Sequence, residues 1–179
     1  PDRQHFVALS GGFHGRTLGS LSVTANPAYR EPFGKLLESV FIEPEDLDAL
    51  NAALSAQPAA LILEPIQGEG GIVVPPPGYL KLARELATQH NALLVCDEVQ
   101  TGLGRTGDVL ASWHEGVEAD LVVLGKALGG GMVPVSAIAG REAVIGVFHP
   151  GDHGSTFGGN PLAAHIGRVA LALLMEEQL

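Results

Sequence analysis

Residues 92–107 read ALLVCDEVQTGLGRTG, an apolar run followed at once by two acids and a glycine-rich loop. The run Leu93–Cys96 has the length of a strand, and its lack of polar residues predicts a strand covered on both faces of a parallel sheet. In the loop, Gly102, Gly104 and Gly107 have the spacing G-x-G-x-x-G of a dinucleotide-binding turn. The stretch could bind a phosphate through its glycines or carry its chemistry on the acids at the strand end.

The glycine spacing fits a dinucleotide-binding turn poorly. In such a turn the first glycine follows the strand directly and the last one opens a long helix, so that free N–H groups meet the pyrophosphate. Five residues separate Cys96 from Gly102, and the segment after Gly107 is interrupted at Gly116. We therefore interpret the glycines as shaping the loop and Asp97 as the chemically informative residue. A dinucleotide-dependent oxidoreductase remains an alternative that NAD(P)H binding would test.

The rest of the chain alternates short apolar runs with segments of helical periodicity. Strands are predicted at residues 6–9, 40–42, 60–63, 93–96, 121–124 and 135–139. Helices are predicted at residues 16–23, 45–54, 79–90, 109–113 and 161–175. This alternation predicts an α/β fold, a mainly parallel sheet with helices on both faces. Ligands of such sheets bind at the carboxyl ends of the strands, so the candidate site comprises residues 11–16, 64–71, 97–107 and 125–131.

The composition predicts one globular domain and excludes several kinds of protein. The 179 residues are 46% apolar, and 10 Lys and Arg against 20 Asp and Glu give a net charge of −10. This charge argues against nucleic-acid binding, which needs a basic face. No 18-residue apolar span occurs, so we expect a soluble, cytoplasmic protein without membrane contact. Cys96, the only cysteine, is predicted to be a buried apolar filler rather than a nucleophile.

The histidines do not predict a metal site. His149 and His153 are four residues apart, but Pro150 and Gly151 between them would break the helix that could align them on one face. No H-E-x-x-H motif occurs elsewhere in the chain. We therefore expect no bound metal.

Two charged residues follow successive strands. Asp97 comes directly after the strand at 93–96, and Lys126 comes after the strand at 121–124 and Gly125. A buried carboxylate normally needs a cationic partner, so Asp97 alone could equally serve a structural ion pair or a helix cap. Together, an acid and an imine-forming amine on successive strand ends can flank one flat cationic ring. Pyridoxal 5′-phosphate (PLP) needs this pair, a lysine for covalent attachment and a carboxylate that keeps the ring nitrogen protonated.

Five motifs in consistent order give nearly the whole chain a resemblance to a known family. They are FHGRT (13–17), LEPIQGEGG (63–71), DEVQTGLGRTG (97–107), LGKALGGG (124–131) and HGSTFGGNP (153–161). Together they resemble the class-III, ω-amino-acid aminotransferases of PLP fold type I. Within the family, VPVSA (133–137) and PGDHGSTFGGNPLA (150–163) are most similar to the ornithine aminotransferase branch, and next to the acetylornithine aminotransferase branch.

The resemblance implies a role for each matching residue. Lys126 would bind PLP covalently and carry the reacting proton, and Asp97 would pair with the ring nitrogen. The other implied cofactor contacts are Gln100 at the phenolic oxygen, Val99 and Phe13 on the two ring faces, His14 beside the cofactor, and Thr156 at the phosphate of the neighbouring subunit's cofactor. The implied substrate contacts are Arg16, which would hold a carboxylate, and Glu69, which would gate the site between ω-amino donor and 2-oxo acid acceptor.

Taken singly, these residues also allow structural interpretations. Phe13 would be a core residue, Arg16 a surface charge at a helix start, and His14 a solvated loop residue. Ser155 or Thr156 would cap a turn before the last helix. Glu64, before Pro65, is predicted to be structural.

The resemblance implies a PLP-dependent aminotransferase that moves a terminal (δ or ω) amino group, from ornithine, to 2-oxoglutarate, as a homodimer or higher homo-oligomer. An acetylornithine aminotransferase or an amino-acid racemase on the same scaffold, and a catalytically inert piece of such an enzyme, are the alternatives. In the family, a phosphate-binding segment precedes the position of Pro1 and a small C-terminal domain follows that of Leu179. We therefore expect residues 1–179 to be a single domain, the central part of the PLP-binding large domain, without those two parts.

Overall fold

The computed structural model describes residues 3–177. They form a six-stranded sheet in the order β2-β1-β3-β4-β5-β6. The strands are β1 (Phe6–Leu9), β2 (Ser39–Ile42), β3 (Ala60–Leu63), β4 (Leu93–Asp97), β5 (Leu121–Leu124) and β6 (Ala137–Gly140). The pairs among β1 to β5 are parallel, and β6 runs antiparallel to β5. The predicted α/β fold with a mainly parallel sheet is confirmed.

Helices and short 3-10 turns occupy most of the connections. The α-helices are α1 (Leu18–Ser22), α2 (Pro27–Arg30), α3 (Leu47–Ser55), α4 (Tyr79–Gln89), α5 (Glu142–Ile145) and α6 (Pro161–Glu176). The 3-10 turns are Glu31–Phe33, Ala111–Glu115 and Lys126–Gly129. The sequence patterns did not predict α2, α5 or the turn that begins at Lys126. Each of these elements is too short to show a helical period.

Polar side chains fix where three of the helices begin. Asp46 accepts a hydrogen bond from the backbone N–H of Ala49 at 2.8 Å before α3, and Asn160 accepts one from Ala163 at 2.9 Å before α6. Asn26 caps α2 in the same way. Such caps use N–H groups that have no partner inside the helix, so each helix starts at a defined residue.

One face of the sheet carries the hydrophobic core. Inward-pointing residues of β1, β3 and β4 pack there against α3 and α4. The leucines of this core include Leu9, Leu61, Leu63 and Leu94 of the strands and Leu50 and Leu54 of α3. Burial of each such leucine contributes about 1.5–3 kcal/mol relative to leaving it exposed. On the other face Ile62, Leu93 and Val95 are only half-buried. The complete cover predicted for β4 is therefore present on one face only.

The same core contains Cys96, which is fully buried. Burial, followed by the charge of Glu98, raises the pKa of the Cys96 thiol to about 12. A thiol in that state is not a nucleophile at neutral pH. The prediction of a buried filler is confirmed.

Asp120, at the start of β5, ties three elements together. Its carboxylate accepts hydrogen bonds from Arg84 in α4 at 2.6 Å, from the backbone N–H of Leu94 in β4 at 2.8 Å, and from Arg141 after β6 at 3.0 Å. Burial acts to raise the pKa of Asp120, but these hydrogen bonds outweigh it and hold the pKa below its ordinary value of 3.8. The cluster fixes the strand that leads to Lys126.

Candidate active site

The carboxyl ends of β1, β3, β4 and β5 lie at one edge of the sheet, because these strands are parallel. Glu64, directly after β3, joins two of the loops at this edge. It accepts hydrogen bonds from the backbone N–H of Phe13 at 2.9 Å and of Gly68 at 3.1 Å. Since both oxygens are engaged by the backbone, the contacts agree with the structural role predicted for Glu64.

Asp97 ends β4 in a nearly closed environment shared with His14. Their side chains are 9% and 1% exposed, and Oδ2 of Asp97 lies 2.8 Å from Nδ1 of His14. The other carboxylate oxygen accepts the backbone N–H of Val99 at 3.1 Å. Among residues 3–177, Nε2 of His14 is buried without a hydrogen-bond partner. His14 is thus a direct neighbour of Asp97 and not a solvated loop residue.

Lys126 and Gln100 meet at the same edge. Nζ of Lys126 donates a hydrogen bond to Oε1 of Gln100 at 2.5 Å. Lys126 has a backbone φ of +39°, which is uncommon for a residue with a side chain and is found most often at functional sites. The amide of Gln100 lies so close to Gly68 that any Cβ there would collide with it. The glycine at position 68 therefore makes room for the Gln100 side chain.

Val99 and Lys126 line a cavity of about 940 Å³, a volume within the usual range for small-molecule and cofactor sites. Its other walls come from the start of β6, from the loop at residues 155–159 and from α6. Thr156 is exposed and does not line this cavity, although Ser155 and Phe157 on either side of it do.

A cap in the loop comes from Ser155, which accepts the backbone N–H of Gly158 at 2.9 Å. Asn160, and not Thr156, caps α6. The structural alternative, a turn capped by Ser155 or Thr156, is therefore present with Ser155 as the cap.

Two other predicted site residues line a second cavity of about 350 Å³, and a third, Arg16, stacks on one of its wall residues. Phe13 and Glu69 line it together with Tyr29 and Phe41. Arg16 stacks on the Tyr29 ring, with the guanidinium carbon 3.9 Å from the ring centroid. The structure thus groups the predicted residues in two sets, one beside Asp97 and Lys126 and one beside Arg16.

Residues 1–179 match the family model described as aminotransferase class-III. The chain belongs to this family. Among its curated relatives, the ornithine aminotransferase of Bacillus cereus strain Q1 is 50% identical over 179 residues, which are 99% of this chain and 45% of the relative. Ornithine aminotransferase 2 of Staphylococcus saprophyticus is 47% identical over 180 residues, 100% of this chain and 46% of the relative. The chain thus spans slightly less than half the length of these aminotransferases.

Solved aminotransferases share the fold. The ornithine aminotransferase from Toxoplasma gondii ME49 matches with a TM-score of 0.94 and 45% identity, over 99% of this chain and 43% of that one. An acetylornithine aminotransferase from Elizabethkingia anophelis matches with a TM-score of 0.77 and 40% identity, over 98% of this chain and 40% of that one. Class-III aminotransferases are PLP-dependent, and a further Toxoplasma gondii structure carries PLP in its active site at partial occupancy.

The side chains at the strand edge fit PLP. A buried carboxylate at Asp97 can accept a hydrogen bond from a protonated ring nitrogen, and the amine of Lys126 lies at the neighbouring strand end. This donor set is the one that a PLP enzyme uses. The cavity beside Val99 and Lys126 offers the space.

Two residues of the site, the buried Glu98 and the half-buried Tyr29, had no predicted role. Glu98 is 1% exposed and accepts hydrogen bonds from Thr101 at 2.5 Å and from the backbone N–H groups of Ala111 and Ser112 at 3.0 and 2.9 Å, so it closes the loop after Asp97. The spacing of Glu98 three residues before Thr101 was the sequence signal that could have indicated this role. Tyr29 had no signal, because its contact with Arg16 joins residues without a common sequence pattern.

In residues 3–177 no helix has both the length and the apolar character that crossing a membrane requires. No three His, Cys, Asp or Glu side chains of the same residues are grouped in a way that could hold a metal ion.

Proposed function

We propose that this chain is the central, cofactor-binding part of an ornithine aminotransferase. The full-length enzyme transfers the δ-amino group of ornithine to 2-oxoglutarate. One observation carries the proposal: a buried Asp97 and a Lys126–Gln100 pair lie at adjacent strand ends in a chain 50% identical to an ornithine aminotransferase.

PLP, when bound, supplies a carbonyl that accepts the amino group and a ring that withdraws electrons from the reacting carbon. Asp97 holds the proton on the ring nitrogen, and its hydrogen bond with His14 fixes the carboxylate. Lys126 would attach the cofactor and would move the proton from the substrate carbon that bears the reacting amine to the C4′ carbon of PLP. Gln100 donates its amide hydrogen to the phenolic oxygen. Support comes from the contact of Gln100 with Lys126.

The substrate is selected by residues around the second cavity. Arg16 binds a substrate carboxylate through paired N–H groups, a geometry that suits guanidinium. Glu69 neutralises a nearby arginine and so lowers the affinity of that arginine for substrate carboxylates. In this way it favours donors that present a terminal amine. Phe13 and Val99 pack on the two faces of the ring. The second cavity is lined by Glu69 and by the Tyr29 ring on which Arg16 stacks, and this supports the roles of Arg16 and Glu69.

The active form is a homodimer in which Thr156 binds the phosphate of the partner's cofactor. Its exposed position outside its own subunit's cavity supports this role. Residues 1–179 form the central part of the large domain, a proposal supported by the share of the relatives that they match. A cytoplasmic location is part of the same proposal, and the buried thiol of Cys96 suits a reducing compartment.

Product analysis with the full-length enzyme tests the reaction. Ornithine and N-acetylornithine are offered separately with 2-oxoglutarate, and glutamate and the aldehyde product are measured. We expect ornithine to have the higher kcat/KM. A preference for N-acetylornithine would instead establish the alternative that the Elizabethkingia anophelis similarity supports, and formation of only the opposite enantiomer would establish a racemase.

Borohydride reduction tests the cofactor site separately. The treatment should fix PLP on the peptide that contains Lys126. The other lysines of the chain, Lys35 and Lys81, serve as internal controls, since neither lines the cavity beside Val99. Reduced PLP attached to Lys35 or Lys81 would contradict the assignment of Lys126 as the attachment site.

A further inference from the structure

Arg16 is held by aromatic rings and not by an acid. Its guanidinium carbon lies 3.9 Å from the centroid of the Tyr29 ring and 5.9 Å from that of the Phe13 ring. Among residues 3–177 it forms no ion pair, and its side chain is exposed. A guanidinium that rests on a ring keeps the N–H groups at its edge available for an anion.

The ring of Tyr29 has a fixed position. It belongs to α2, which starts at a defined residue because Asn26 caps it with a hydrogen bond of 3.0 Å. The Phe13 ring meets Tyr29 edge-on, with centroids 6.3 Å apart and planes at 84°. Next to it, Arg30 stacks on Phe41 of β2 at 4.3 Å, which anchors the same short helix.

The backbone that leads to Arg16 is fixed from another direction. Thr24, which is fully buried, accepts the backbone N–H of His14 at 2.9 Å and donates to the carbonyl of Gly15 at 3.0 Å. The course of the chain therefore does not depend on Tyr29. The direction of the Arg16 side chain does, since the Tyr29 ring is its nearest aromatic neighbour.

We propose that Tyr29 is a positioning residue that selects the amino donor: its ring holds the Arg16 guanidinium where it binds the donor's carboxylate. This inference rests on the proposed function for the role of Arg16. It adds that a residue of α2, which itself need not touch the substrate, favours amines that carry a carboxylate over amines that lack one. The ring and not the hydroxyl of Tyr29 does this, because the stacking uses the ring face.

Two substitutions in the full-length enzyme separate the ring from the hydroxyl. Tyr29→Leu removes the ring, and Tyr29→Phe keeps it. The donors are ornithine and 1,4-diaminobutane, which is the same chain without the carboxylate, in single-turnover half-reactions. For Tyr29→Leu we expect the half-saturating ornithine concentration to rise about 10-fold at a nearly unchanged maximal rate, with no change for 1,4-diaminobutane. For Tyr29→Phe we expect wild-type values within about 2-fold.

Phe33→Leu is the matched control. Phe33 lies in the 3-10 turn after α2, is 58% exposed, lines neither cavity, and is not one of the rings on which Arg16 stacks. The preference for ornithine over 1,4-diaminobutane should stay at the wild-type value. The proposal is overturned if Tyr29→Leu leaves that preference unchanged, if Tyr29→Phe loses as much as Tyr29→Leu, or if Phe33→Leu produces the same loss.

A chemical readout does not depend on turnover. Phenylglyoxal modifies accessible guanidinium groups, and peptide mass spectrometry gives the rate at Arg16 relative to Arg141, whose side chain is 70% exposed. Loss of the stack in Tyr29→Leu should speed modification of Arg16 at least about 3-fold, with no change in Tyr29→Phe. Equal rates in all three proteins would overturn the positioning role. Wild-type enzyme that is inactive with ornithine but shows this rate difference would refute only the proposed function.

Discussion

Asp97 shares a nearly closed environment with His14, and its chemical value lies in its charge. Asp97→Asn keeps the size of the side chain and an oxygen for the N–H of Val99, but it removes the negative charge that, under the proposed function, would keep the PLP ring nitrogen protonated. We expect the half-reaction rate of the full-length enzyme to fall about 100-fold or more, a loss of about 3 kcal/mol in the transition state. Stopped-flow absorbance of the cofactor measures it.

The control for this substitution is that the fold of the variant is unchanged. Circular dichroism and the Tm of Asp97→Asn should match those of the wild type, because the carboxamide fits the same space. A rate close to the wild-type rate would return Asp97 to a structural role as the partner of His14.

Glu69 is a second single residue with a defined expectation. Because it would neutralise an arginine near the substrate, Glu69→Ala should strengthen binding of α-carboxylates and shift the donor preference from ornithine towards glutamate. The ratio of kcat/KM for the two donors measures the shift. Donor ratios that stay at the wild-type value would contradict a gate at Glu69, and Glu64→Ala is an unsuitable control because Glu64 holds two loops together.

At the scale of elements, the Asp120 cluster links α4, β4 and the residue after β6. Asp120→Asn leaves Arg84 without its charged partner, so we expect the free energy of unfolding to fall by about 2 kcal/mol. Thermal or urea unfolding of the full-length protein measures the change. Asp152→Asn is the control, since Asp152 pairs with His149 at the surface with 51% of its side chain exposed, and such pairs contribute little.

The same cluster predicts an acid-sensitive contribution. The folded-state pKa of Asp120 lies below the ordinary value of 3.8, so its stabilisation is present above pH 3.8 and is lost as the pH falls through the folded-state pKa. Asp120→Asn should therefore show a smaller loss of stability on acidification than the wild type. Parallel acid-unfolding curves for the two proteins would contradict this.

Elements with a clear pattern were predictable from the sequence, and their arrangement was only partly so. The bounds of β1, β3 and β5 agree with the apolar runs, because the polar residues on either side of a buried strand mark where it begins and ends. The antiparallel direction of β6 was not predictable, since the short apolar run Ala137–Gly140 carries no signal of the direction in which a strand enters the sheet. The site residues at strand ends, Asp97 and Lys126, followed from the topology, whereas the contact of Tyr29 with Arg16 needed three dimensions.

At the scale of the whole molecule, the role proposed for Thr156 predicts that two chains build one site. If Thr156 acts in the partner's site, a mixture of Lys126→Ala and Thr156→Ala subunits forms hybrid dimers with one doubly defective site and one intact site. Activity should then recover to about a quarter of the wild-type level, since half of randomly paired dimers are hybrids. Activity after subunit exchange of the two full-length variants measures it.

The reverse arrangement gives a different result. If Thr156 acts within its own chain, every site of a hybrid keeps one defect and mixing restores no activity. Ser155→Ala in place of Thr156→Ala is the matched control, because Ser155 caps its own turn and its loss should not be complemented in the same way.

The buried thiol of Cys96 makes transient opening of the sheet measurable. Cys96 precedes Asp97 in β4, is fully buried, and has a pKa of about 12. An alkylating reagent can therefore reach a reactive thiolate only during excursions in which β4 separates from its neighbours. The alkylation rate of Cys96, measured by peptide mass spectrometry, reports how often these openings occur. A cofactor that bridges Asp97 and Lys126 would clamp β4 to β5, so labelling in the presence of PLP should slow in proportion to the strength of that clamp.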